Sequence, residues 1–97
     1  MVAYFIADQQ EVTDPETMKT YSAGVAATIE QYGGKFAVRG GDPEVLEGDW
    51  AVRRVVILEF EDRAALKAWY NSPEYADLLA MRLASSRSNA IIVDGAL

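Results

Sequence analysis

Apolar positions along the chain switch between two periods, and each switch marks an element. Val2 to Ala7 is a short apolar run closed by Asp8-Gln9-Gln10, the length and composition of a buried strand. Beyond Pro15 the spacing lengthens. Met18, Tyr21, Val25, Ile29 and Tyr32 recur every three or four residues, which predicts a helix over 15–32. Asp14-Pro15-Glu16 starts it: Asp14 can accept from an early backbone N–H, Pro15 suits the first helical position, and Glu16 favours the positive end of the dipole. Gly33-Gly34 stops it, with Gly33 in the left-handed cap. Lys35 to Gly41 alternates as a strand does, and Gly40-Gly41-Asp42-Pro43 closes it. Residues 44–51 read as a loop. Arg53 to Phe60, rich in β-branched residues, is the strongest strand signal. Asp62 caps a helix carrying Leu66, Trp69 and Tyr70. Asn71-Ser72-Pro73-Glu74 then repeats the start signal, so the second helix is read as two pieces, the latter running through Leu78, Leu79 and Leu83. Ala90 to Val93 is the last strand.

Strand, helix, strand, strand, helix, strand is the order of two β-α-β units. It predicts one α+β domain over 1–97 with a ferredoxin-like βαββαβ fold: a four-stranded antiparallel sheet, both helices on one face, the first and third strands central. Alternation then assigns faces. Ala3, Phe5 and Ala7, Phe36, Val38 and Gly40, and Arg54, Val56, Leu58 and Phe60 are expected under the helices. Tyr4, Ile6 and Asp8, Lys35, Ala37 and Arg39, and Arg53, Val55, Ile57 and Glu59 are expected on the open face. An open face carrying Ile6, Val55 and Ile57 argues for a homodimer through that face, two sheets packed as a dimeric α+β barrel.

The same assignment gathers Tyr4, Asp8, Arg39 and Glu59 beside those apolar residues. The plain reading is a cross-strand ion pair between Arg39 and Glu59. The chemical reading makes Glu59 or Asp8 a proton acceptor on a small substrate, with Arg39 stabilising the developing anion. Composition narrows the chemistry. The 97 residues include no cysteine and no histidine, which excludes thiolate nucleophiles, zinc fingers and histidine relays or ligands. Carboxylate, phenol, guanidinium or a borrowed cofactor remain; no residue pattern points to a particular cofactor or to a metal, and none is expected. Nine Lys plus Arg against fifteen Asp plus Glu, net −6, argues against nucleic acid. The apolar start is too short for a membrane span and lacks a basic leader, so no membrane partner and a cytoplasmic location are expected.

Other features read more simply. Gly33-Gly34-Lys35 follows a helix and lacks the rest of a phosphate loop, so it is a helix stop. Glu44, Glu47 and Asp49 match no calcium-loop spacing and read as a solvated acidic loop. Met18, Tyr21 and Tyr32 lie on the core stripe. Trp50, large and aromatic in a loop, packs over the sheet end or a partner, or stacks on a ligand. Trp69 and Tyr70 are adjacent, so one helix face cannot bury both fully. Tyr75 and Arg82, seven apart, share a helix face; Arg82 either anchors an anion or pairs with Glu74 or Asp77.

Several segments together resemble the bacterial family catalogued as domain of unknown function 1330. They are Ala3-Tyr4-Phe5-Ile6, Tyr32-Gly33-Gly34-Lys35-Phe36 with Val38-Arg39-Gly40-Gly41, Leu46-Glu47-Gly48-Asp49-Trp50, Val55 to Phe60, Ala68 to Tyr75, and Arg82. They span nearly the whole chain in the family's order. Glu61-Asp62 departs from a commoner proline-serine pair and leaves the helix start intact. The resemblance implies a ferredoxin-like fold in the dimeric α+β barrel superfamily and no established reaction. That superfamily includes cofactor-independent monooxygenases, lactone isomerases and non-catalytic ligand-binding modules, and fold-level analogy does not select among them. The expected protein is a homodimer binding a small anionic or aromatic metabolite through Tyr4, Arg39, Trp50, Tyr75 and Arg82. The alternatives are an oxygenase or isomerase of small-molecule catabolism, and a structural or interaction module without a pocket.

Overall fold

The computed structural model describes residues 1–97. Its elements run β1 (Ala3–Val12), α1 (Pro15–Gln31), β2 (Lys35–Gly40), β3 (Arg54–Phe60), α2 (Arg63–Tyr70), α3 (Pro73–Ser85) and β4 (Ser86–Asp94). The strands form one antiparallel sheet in the order β2-β3-β1-β4, with β3 and β1 central. This is the expected ferredoxin-like α+β arrangement. No helix is long and apolar enough to cross a membrane.

The predicted caps form. Asp14 accepts from the Thr17 N–H, Asp62 from Ala65 and Ser72 from Tyr75, each satisfying an otherwise orphaned donor. The Thr17 hydroxyl and N–H hold the Asp14 carboxyl below its usual pKa. Ser72 also donates to the Trp69 carbonyl at 2.7 Å, so it closes α2 while opening α3. Both central β1 and edge β4 exceed their apolar runs. Asp8 and Gln9 continue β1 because ladder bonds from both neighbouring strands outweigh weak β propensity, and Gln10 sits at a register shift against β4. α3 passes into β4 with no loop, Ser86 already being extended.

The core lies between the sheet and the helices. Trp69 and Tyr75 are fully buried; Trp69 packs against Phe5 and Phe60, and its ring centroid lies 4.1 Å from that of Tyr75. Trp69 donates its indole N–H to Thr28 Oγ1 at 3.0 Å. Tyr70 is left half-buried at the edge, as two adjacent aromatics on a helix require. Tyr32 packs partly against this core and donates to Glu74, which raises its phenolic pKa.

Gly33 has φ +79° and takes the left-handed cap. Gly34 serves a different need, because a Cβ there would lie 2.5 Å from the Phe60 ring and 2.8 Å from Ile29. Both neighbours are 1% exposed and cannot yield. Gly34→Ala is expected to cost about 2–3 kcal/mol through overpacking. Urea unfolding measures it, and a loss under about 0.5 kcal/mol contradicts this close approach.

Candidate functional site

Face assignment in β2 changes at one residue. Phe36 pairs with Leu58, but Val38 pairs with Ile57 and Arg39 with Val56, so Ala37 is a bulge. A bulge adds one residue to one strand and reverses the faces beyond it. Val38, expected under the helices, therefore takes the face of Ile57. Arg39, expected on the open face beside Glu59, takes the helix-side face of Val56. The Arg39–Glu59 ion pair does not form; Glu59 instead meets Lys35 at 3.4 Å.

Four expected site residues are thus divided between two faces. Tyr4, Asp8 and Glu59 remain on the open face, with Tyr4 and Glu59 directly opposite each other. Asp8 is buried there by the loop between β2 and β3. It accepts from Trp50 Nε1 and from the Arg53 N–H, both at 3.1 Å. That loop contact occupies both carboxylate oxygens. It also explains the position of Trp50, which stays 61% exposed with its N–H anchored.

Arg39 instead meets Arg82 in a cleft between the helix-side face and α1 and α3. The floor can be read row by row across the strands. Phe36, Leu58 and Phe5 form an apolar inner row; Arg39, Val56 and Ala7 follow; Arg54, Gln9 and Ser88 form a polar outer row. From α1, Met18, Tyr21, Ser22, Val25 and Ile29 make the roof. About 60 Å³ is open to the centre of a water molecule, several times the ~10–15 Å³ that one water needs.

Arg39 is exposed, donates to the Ser22 carbonyl at 3.3 Å and lies 4.3 Å over the Phe36 ring. Arg54 is exposed in the outer row. Arg82 is only 9% exposed and 5.9 Å from the centroid of Phe5. It donates from Nε to Tyr75 Oη at 3.3 Å, and Tyr75 Oη lies 2.8 Å from Tyr21 Oη. It pairs with neither Glu74 nor Asp77. The chain's ion pairs are Lys35–Glu59 and Arg63–Asp94, so all three cleft guanidiniums lack a carboxylate partner.

Burial is the largest influence on Arg82 and opposes its charge. The Tyr75 and Tyr21 oxygens raise its pKa overall, but a phenol adds counter-charge only when ionised; a neutral one gives the guanidinium a hydrogen bond and no ion partner. Burial, then Tyr75, pushes the Tyr21 phenol far up, so it stays a neutral hydrogen-bonding group at neutral pH. No aspartate, glutamate or lysine lines the cleft. Such a surface presents three guanidiniums and no carboxylate base.

Tyr21 and Met18 belong to the cleft as well as to the core stripe, which periodicity alone does not reveal. Arg54 had a visible signal, being the one charged member of the helix-facing set in β3.

No curated protein sequence matches the chain significantly. Solved structures do match its fold. A protein of unknown function from Rhodopseudomonas palustris shares 21% identity at a TM-score of 0.76, covering 97% of this chain and 82% of its own. A dimeric ferredoxin-like protein of unknown function from Jannaschia sp. CCS1 shares 15% at 0.69, covering 98% and 100%. SnoaB, a cofactor-independent oxygenase from Streptomyces nogalater, shares 18% at 0.64, covering 99% and 93%. The family described as a domain of unknown function (DUF1330) matches residues 2–96, and the chain belongs to it.

Proposed function

We propose that this chain is a homodimer that binds a small organic anion in the cleft between its sheet and helices α1 and α3. One observation carries the binding reading: Arg82 is buried, charged and without a counter-ion. An unpaired buried charge costs several kcal/mol by order of magnitude. A ligand carboxylate supplies the missing partner, and the apolar walls favour an aliphatic or aromatic body. Isothermal titration with benzoate tests this directly, using wild type and Arg82→Met. Binding by wild type and its loss in the variant are expected; equal binding by both contradicts the assignment.

A catalytic reading has the fold likeness to SnoaB in its favour. The residue placement does not favour the version in which Arg39 works with Asp8 or Glu59, since the sheet separates them. Tyr4 and Trp50, also on the open-face side, lie outside the proposed binding cleft.

The homodimer reading rests on the open face. Ile91 is 61% exposed and Val93 40%, beside half-buried Tyr4, Ile6, Val55 and Ile57. Leu46, 88% exposed on the adjoining loop, extends the apolar surface. A matching copy buries such a patch by two-fold symmetry, and the Jannaschia relative in fold is dimeric. Ile57→Asp is expected to yield a folded monomer in light scattering after gel filtration. An unchanged dimer rejects this face as the interface.

A further inference from the structure

We infer that the cleft takes a dianion whose two anionic groups are separated by an apolar spacer, an inference that rests on the cleft being an anion site. Its three guanidiniums are not equivalent. Arg82 lies buried beneath α3, hydrogen-bonded to the Tyr75–Tyr21 pair. Arg39 and Arg54 are exposed, Arg39 with its guanidinium over the Phe36 ring and Arg54 in the outer row opposite Gln9. Arg39 is opposite Val56, two residues from Arg54, so the two are diagonal cross-strand neighbours on one face. Such diagonal neighbours lie roughly 7–8 Å apart by sheet geometry, with Cβ atoms somewhat closer. Like charges so placed repel, and no carboxylate offsets them. The cleft walls beside these guanidiniums include apolar Ala7, Val25 and Val56, while the Phe36 ring lies under the Arg39 guanidinium.

Charge counting gives the ligand class. One carboxylate answers Arg82 and leaves two positive charges at the mouth. A second anionic group there accepts from Arg39 and Arg54, with the Gln9 amide and Ser88 hydroxyl available in the same outer row. A dicarboxylate with a short aliphatic or aromatic middle fits this order of charge, grease and charge. Bulk attraction does not explain such a preference, because the chain's net charge is −6 and repels dianions.

Titration calorimetry at fixed ionic strength tests it with matched pairs: benzoate against terephthalate, and hexanoate against adipate. Phenyl phosphate adds a probe whose charges sit at one end. On wild type, the better diacid of the two pairs is expected to bind about tenfold or more tightly than its monoacid, one charge-assisted contact's worth. Phenyl phosphate is expected to gain less. In Arg39→Ala/Arg54→Ala, two exposed positions, that gap should close while monoacid binding persists. Monoacids equal to both diacids, or phenyl phosphate equal to the better one, overturn the separated-dianion inference and leave the anion site standing. No binding by any probe overturns both. A gap that survives in the double variant removes Arg39 and Arg54 from the role.

Discussion

Arg82→Met is expected to make the unliganded protein more stable, by about 1–2 kcal/mol, while abolishing anion binding. The sign is unusual, since most substitutions at buried positions destabilise. Arg82 is 9% exposed and has no carboxylate partner. Methionine keeps an unbranched apolar stem, fills the space along it and removes the desolvation penalty. It gives up the 3.3 Å bond to Tyr75, worth about 1 kcal/mol. Tyr75 Oη still has Tyr21 at 2.8 Å, so no buried hydroxyl is orphaned. Denaturant midpoints with and without benzoate measure both halves. A variant less stable than wild type in the absence of ligand would mean that the guanidinium serves the fold.

Trp69→Ala is expected to cost about 3–5 kcal/mol, a large share of the roughly 5–15 kcal/mol that holds a typical domain together. Trp69 is 0% exposed and touches the rings of Phe5, Phe60 and Tyr75. Its indole N–H satisfies Thr28 Oγ1, which itself donates to the Val25 carbonyl. Truncation opens a cavity under α2 and loosens the wall that seats Tyr75. Chemical unfolding should show a lower midpoint with little change in slope. A loss below about 1 kcal/mol contradicts a core centred on this residue.

The framework of this fold is legible because local rules agree with it. Asp14-Pro15, Asp62 and Ser72-Pro73 cap helices where caps were expected, and the break at Asn71-Ser72 follows from that grammar alone. The face of Arg39 is a different matter. Lys35-Phe36-Ala37-Val38-Arg39 alternates without a glycine or proline to mark the bulge, and only the partner strand's register exposes it. One inserted residue moved the arginine across the sheet and separated it from Asp8 and Glu59. Asp8 misleads in the opposite way: a carboxylate in a central strand looks chemical, yet both oxygens hold the loop carrying Trp50 and Arg53. Arg54, the lone charge in an otherwise apolar helix-facing set, is the clearest sign of the cleft in the sequence. Tyr21 gave none, because a core tyrosine and a cleft tyrosine have the same helical spacing.

The most direct test of the central claim is an NMR titration of isotope-labelled protein with benzoate, following arginine Nε–Hε and backbone amide resonances together. Saturating shifts at Arg82 Nε–Hε, with amide shifts at Tyr21, Phe36 and Val56 and none at Tyr4 or Glu59, are expected. An unmoved Arg82 resonance, or shifts confined to the open face, would contradict an anion site built around that buried guanidinium.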